Sequence, residues 1–188
     1  MDLTTPLVGR GNLANILAAA AVAIDCDVPL TAIASAATTL RPAAHRGEVI
    51  RLGSGVVVID DSYNANPTAT TRALDILAAT AATRRIAVLG EMLELGARAP
   101  DLHREVGQAV ARANVNALFA VGGPPAGALA DAAVAAGMDR SRVRHFDRSE
   151  DAAAAVVEFV RAGDVVLVKG SRGVKTDRVV EKLRAERG

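Results

Sequence analysis

Val56-Val57-Val58-Ile59-Asp60-Asp61-Ser62-Tyr63-Asn64-Ala65-Asn66-Pro67 is the stretch on which the reading of this chain turns. It opens as four β-branched apolar residues, the pattern of a strand buried on both faces. It ends in two carboxylates, a hydroxyl, a phenol and two amides. Pro67-Thr68-Ala69-Thr70 then opens an Ala/Leu-rich helix, with Pro where a first helical turn tolerates it. The polar run therefore belongs at the carboxyl end of a parallel strand, where open α/β sheets bind ligands. Helix capping accounts for one or two such residues, but not for a run this long. Tyr63 is the sole tyrosine of the chain, and an aromatic in a polar loop suggests a contact surface.

Outward from that stretch, strand and helix alternate. Strands are expected at Glu48–Leu52, Val56–Ile59, Ile86–Leu89, Ala117–Val121, Val143–Phe146 and Val165–Val168. Helices are expected at Thr68–Ala82, Asp101–Ala113, Ala126–Ala136, Glu150–Arg161 and Thr176–Arg187. This spacing predicts an α/β fold: a Rossmann-like, mostly parallel sheet with helices on both faces and right-handed crossovers. Ahead of it, Met1–Gly11 reads as irregular. Asn12 is placed to cap a helix over Leu13–Ile24, and Pro29 to start a second over Leu30–Leu40. These two form a helical hairpin with no strands of their own. Arg41–Gly47 reads as a linker. The expected division is a helical segment over 1–41 and the α/β domain over 42–188.

Composition narrows the function. The 188 residues are 51% hydrophobic, enough for a sizeable core, and the net charge is +1. That balance gives no argument for nucleic acid or an anionic membrane surface. Leu13–Ile24 is too short to span a bilayer. Cys26 is the single cysteine, so no intrachain disulfide forms, and its apolar helical setting predicts a buried, inert thiol.

Three strand-to-helix loops concentrate chemistry on one sheet edge. They are Asp60–Asn66, the glycine-flanked Gly90-Glu91-Met92-Leu93-Glu94-Leu95-Gly96, and Lys169-Gly170-Ser171-Arg172-Gly173-Val174-Lys175. Carboxylates, amides and cations together suit a zwitterionic or phosphorylated ligand. A plain turn with Met92 and Leu95 packed down accounts equally well for the second loop. Lys169 leaves its strand directly, so the sheet aims its side chain. Gly170–Thr176 is too short for a phosphate-binding P-loop. His45, His103 and His145 are scattered and no metal cluster shows; His103 is expected at the surface or behind a site. A receiver-type signalling domain would share the paired acids and the late lysine, but ranks low because Leu118–Gly123 lacks the phosphorylatable Asp it needs at the end of its strand.

Five motifs in order resemble the C-terminal portion of the D-alanyl-D-alanine-adding branch of the Mur ligase family. They are Gly9-Arg10-Gly11-Asn12-Leu13-Ala14-Asn15, His45-Arg46-Gly47-Glu48, Asp60–Pro67, Leu89–Gly96 and Val168–Gly173. The Tyr63–Pro67 loop argues against sister ligases and folate-type polyglutamate ligases. Gly11 stands where the family usually has His, and Glu91 where Asp is common. The resemblance implies a reaction in which ATP, with Mg2+, activates the carboxyl terminus of a UDP-linked muramoyl tripeptide. The D-alanyl-D-alanine amine then attacks. It also implies roles. Asn12, Asn15, Arg46 and Asp61 would lie on the nucleotide side. Tyr63, Asn64, Asn66, Lys169, Ser171 and Arg172 would lie on the dipeptide side. The chain is expected to be a cytoplasmic, monomeric fragment, with residues 1–41 from the end of the ATP-binding domain. No ligase activity or tight cofactor binding is expected of it alone. The competing expectation is a free-standing Rossmann-like interaction module without ligase activity.

Overall fold

The structure, a computed structural model, describes residues 2–7 and 9–188. Met1 and Val8, within the stretch expected to be irregular, lie outside the described residues, as does the side chain of Arg10. The chain divides into two compact units that meet between Ala43 and Ala44. In the first, helix α1 (Arg10–Asp25) and helix α2 (Leu30–Thr39) form the expected pair. Its start differs from expectation: Gly9, with φ of 96°, is the N-cap and Asn12 lies inside the first turn. Glycine adopts that backbone at no steric cost. Cys26 is exposed rather than buried, because α1 ends at Asp25 and the thiol sits just past the helix.

The second unit is the α/β domain. Its elements run β1 (Glu48–Arg51), β2 (Val57–Asp61), α3 (Pro67–Ala79), β3 (Arg84–Gly90), α4 (Ala99–Arg112), β4 (Ala117–Val121), α5 (Pro124–Ala135), β5 (Val143–Phe146), α6 (Ser149–Phe159), β6 (Asp164–Lys169) and α7 (Asp177–Arg187). The six strands form one sheet in the order β1-β2-β6-β3-β4-β5. All neighbours are parallel except β1, which pairs antiparallel with β2 along one edge.

Strand pleating sorts the core into two layers. Ile59, Ala87, Leu89, Leu118, Ala120 and Leu167 face α3, α4 and α5. Val58, Ile86, Val88, Phe119, Val121, Val166 and Val168 face α6 and α7. Near-continuous apolar strands are what two covered faces require. On the α4–α5 side, Gly107 lies mid-helix in α4. A Cβ there would collide with the Leu129 carbonyl oxygen and sit 2.9 Å from Ala132 Cβ.

The topology decides where a ligand can go. The chain steps outward through β2, β3, β4 and β5 with α3, α4 and α5 on one face. Helix α6 then carries it across the other face, and β6 inserts between β2 and β3. Connections flanking β6 therefore leave towards opposite faces, which opens a crevice at the carboxyl end. The three chemistry-bearing loops follow β2, β6 and β3, the three strands at that point. At the opposite edge, Arg84 grips Asp164 through two nitrogens (2.8 and 2.6 Å) and stacks on Phe159. The hydrogen bond to Asp164 raises the guanidinium pKa further.

Gly107→Ala is expected to destabilise the domain by about 1–3 kcal/mol through overpacking. Helix propensity alone would give a gain of about 1 kcal/mol for the same change, so a denaturant titration distinguishes the two by sign.

Candidate functional site

The two carboxylates of the organising stretch are not loop residues. Strand β2 runs through Asp61, so pleating directs them to opposite faces. Asp60 is fully buried. Its Oδ1 accepts from the Ser62 hydroxyl at 2.6 Å and the Ser62 amide at 3.2 Å. Its Oδ2 lies 2.9 Å from His45 Nδ1. Asp61 stands beside Lys169 in the parallel β2–β6 register. The Lys169 ammonium donates to Asp61 Oδ2 at 2.6 Å and to the Asn64 carbonyl at 3.0 Å. The lysine is 3% exposed. An ammonium so buried must be paired and hydrogen-bonded, and here the two partners come from the end of β2 and from the loop after it.

That loop is held at several points. Ala65 is buried. Asn66 Oδ1 accepts from the Ala69 amide at 2.8 Å and caps α3, with Pro67 at the first helical position. Capping thus explains Asn66 fully. Asn64 Oδ1 accepts from the Ala65 amide at 2.8 Å. Tyr63 is left 43% exposed, and the Arg46 guanidinium lies over its ring at 4.1 Å, in cation–π contact.

The other two loops are stitched together. The Ser171 hydroxyl accepts from the Leu93 amide at 2.9 Å, and the Ser171 amide donates to the Glu91 carbonyl at 3.2 Å. Glu91 Oε2 accepts from the Gly123 amide at 2.8 Å, where α5 begins. A carboxylate suits a helix N-terminus. Met92 is buried and Leu95 packs against the core, as the plain-turn reading of this loop expects. His103 is buried rather than at the surface. Its Nε2 accepts from the Met92 amide at 2.9 Å, which leaves Nδ1 to donate to the Ala99 carbonyl at 2.7 Å. The imidazole is thus a neutral brace under the loop. Its spacing with Val106, Gly107 and Val110, all buried on α4, was the available signal.

Arg172 is exposed, with one nitrogen 3.1 Å from Asp177. In the first unit, Asn12 and Asn15 lie one helical turn apart on α1, and Asn15 is exposed. The second unit therefore gathers Arg46, Asp61, Tyr63, Asn64, Asn66, Lys169, Ser171 and Arg172 around one sheet edge. Of these, Arg46, Tyr63, Asn64, Asn66 and Arg172 are exposed, while Lys169 and Ser171 are buried and hydrogen-bonded within the protein. No group of three or more His, Cys, Asp or Glu side chains among the described residues could hold a metal ion. Among the same residues, no helix is long and apolar enough to cross a membrane. His45, Asp60, Glu91 and His103 are the contributors that motif reading did not assign.

Asp61→Asn leaves the Lys169 ammonium buried without a countercharge and is expected to cost about 3 kcal/mol. Lys169→Met leaves a carboxylate that is 26% exposed and open to water, so it should cost less. Denaturant titration of the two single variants checks the asymmetry.

Comparison with known proteins follows the same lines. The family described as Mur ligase, glutamate ligase domain, matches residues 45–172. The UDP-N-acetylmuramoyl-tripeptide–D-alanyl-D-alanine ligase of Mycobacterium tuberculosis is 39% identical over 95% of this chain and 38% of its own length. The enzyme of the same name from Bacillus subtilis is 30% identical over 95% of this chain and 39% of its own. Among solved structures, MurF from Acinetobacter baumannii superposes with a TM-score of 0.87 at 25% identity, over 97% of this chain and 40% of that one. MurF from Thermotoga maritima, solved in complex with ADP, gives 0.79 at 27% identity, over 95% and 39%. The chain spans about 38–40% of the length of the relatives it matches. A Rossmann-like domain matched over 45–172, with the sheet and loops described above, places this chain in the Mur ligase family.

Proposed function

We propose that this chain supplies the acceptor-side domain of an ATP-dependent ligase that joins D-alanyl-D-alanine to UDP-N-acetylmuramoyl-tripeptide. The observation that carries the reading is the joining of the β2, β3 and β6 loops at the switch point of the sheet. Its support is the likeness, over 95% of the chain, to ligases whose names state that reaction. The helical unit, residues 1–41 in the sequence reading, is proposed to belong to the family's central ATP-binding domain. Exposed Leu13, Leu17, Val22, Ile24 and Leu30 would be covered by the rest of that domain.

In this reading ATP would phosphorylate the tripeptide carboxylate on domains other than this one, releasing ADP, and Mg2+ would supply charge neutralisation there. The work of this chain is positioning and charge complementarity. The dipeptide is a zwitterion. Arg172 is proposed to attract its carboxylate, with Asn64 and the Tyr63 hydroxyl as hydrogen-bonding partners. On the α/β unit, Arg46 is proposed to offer its cation to the nucleotide. On the helical unit, taken by itself, Asn12 and Asn15 are proposed as nucleotide contacts on the family resemblance. Asp61, Asn66, Lys169 and Ser171 act by holding the loops that present those groups. Substrates of this kind are small, charged and nucleotide-linked, which supports a cytoplasmic setting and gives no role to nucleic acid.

The test is ATP-dependent phosphate release by this chain mixed with a separately produced N-terminal portion of a ligase from the same source. Release is expected when both chains, the UDP-linked tripeptide and D-alanyl-D-alanine are present, and not from this chain alone. Arg172→Ala is expected to raise the KM for the dipeptide at least tenfold, the loss of one charge-assisted contact, with a smaller change in the KM for ATP. Silence from the mixture, with both pieces folded, contradicts the ligase reading and leaves a binding module in its place.

A further inference from the structure

The α/β unit begins with a residue in an unfavourable backbone conformation. His45 has φ of 60°, in the left-handed region that a residue with a Cβ seldom enters. Three contacts hold it there. Its ring Nδ1 lies 2.9 Å from Asp60 Oδ2 and 3.4 Å from Ser62 Oγ. Its carbonyl accepts the Tyr63 amide at 3.0 Å. The next residue is Arg46, whose guanidinium lies over Tyr63.

Serine, histidine and aspartate in one cluster suggest nucleophilic catalysis, but the geometry excludes it. Ser62 is 1% exposed and its hydroxyl donates to Asp60 rather than facing solvent. The imidazole and the hydroxyl both converge on one carboxylate, whereas a triad needs the imidazole between the other two. A fully buried carboxylate instead makes a fixed anchor. Its two oxygens bind Ser62 on one side and His45 on the other.

The anchor answers a thermodynamic need. An exposed cation–π contact is weaker than the entropy lost when a backbone residue and a long side chain become ordered. The Arg46–Tyr63 stack cannot hold this entry segment by itself. With His45 fixed at both its ring and its carbonyl, most of that entropy is already lost before Arg46 stacks.

We propose that His45, Asp60 and Ser62 form a latch whose purpose is to set Arg46 on Tyr63. They are positioning residues, with no contact to substrate. The latch ties the entry segment of the domain to the loop after β2, so one carboxylate governs where a cation and an aromatic sit at the sheet edge. That Arg46 then serves a nucleotide rests on the ligase reading; the latch itself does not.

Tyr63 is the sole tyrosine and the chain has no tryptophan, so its intrinsic fluorescence reports on this one ring. The experiment is acrylamide quenching of that emission on the chain as it stands, with far-ultraviolet circular dichroism as a check on folding. Arg46→Gln uncovers one face of the ring and is expected to raise the quenching constant. His45→Ala is expected to raise it to the same level. His45→Asn keeps a side-chain nitrogen near the imidazole position and tolerates the left-handed backbone, so it should restore the wild-type value. His45→Gly accepts φ of 60° without strain and keeps the test decisive if the alanine variant unfolds; it too should match Arg46→Gln. A wild-type quenching constant in His45→Ala and His45→Gly, with Arg46→Gln raised, overturns the latch. So does an unchanged constant in Arg46→Gln, which would mean that there is no stack to position. A silent ligase assay across all variants would count against the proposed reaction and leave the tyrosine result standing.

Discussion

A lysine ammonium cannot be buried alone, and Lys169 is buried at the end of the strand where two directions of chain winding meet. Its partners are Asp61, directly across the parallel register, and the Asn64 carbonyl three residues further on. Much of the sheet edge follows from that demand. The end of β2 must stay paired as far as Asp61. The loop must fold back so that a carbonyl points at the ammonium. Ser171, two residues beyond Lys169, is then in place to tie the β3 loop to the β6 loop. The edge is preorganised before any ligand arrives, which is the condition under which electrostatic contacts contribute most to a reaction.

The division of labour among the polar residues is equally physical. Several polar groups are satisfied by the protein itself: Asn66 by the Ala69 amide, Ser171 by Leu93, His103 by Met92 and Ala99, Glu91 by the start of α5. What remains facing outward is an arginine, an arginine-stacked tyrosine and a short polar loop. Such a surface is complementary to small zwitterionic or phosphorylated molecules. Several side chains with strong sequence signals are thus held by the protein itself.

Much of this was legible in the chain itself. Strand-to-helix alternation and β-branched runs identify the sheet, because two covered faces leave little choice of residue. The loops after β2, β3 and β6 stand out by their polarity. The insertion of β6 between β2 and β3 is a long-range pairing that no local pattern encodes, and it is what makes those three loops neighbours. Local patterns also missed the partnerships. The imidazole of His45 and the carboxylate of Asp60 are fifteen positions apart, and Lys169 and Asp61 are separated by 108. Asn12 carried a capping signal, but Gly9 took the cap with a backbone angle open to glycine. Cys26 looked like a core residue from its apolar neighbours and lies just past the helix end, exposed.

The central claim is that one buried ion pair couples the ends of β2 and β6. A double-mutant cycle on Asp61→Asn, Lys169→Met and the two combined measures that coupling directly, by denaturant unfolding of the α/β unit. The account predicts that the double variant recovers part of the loss, because no charge is then left buried without a partner, with a coupling of about 2 kcal/mol. Losses that add to within about 0.5 kcal/mol would mean that the two side chains act independently, and the account of the sheet edge would be wrong.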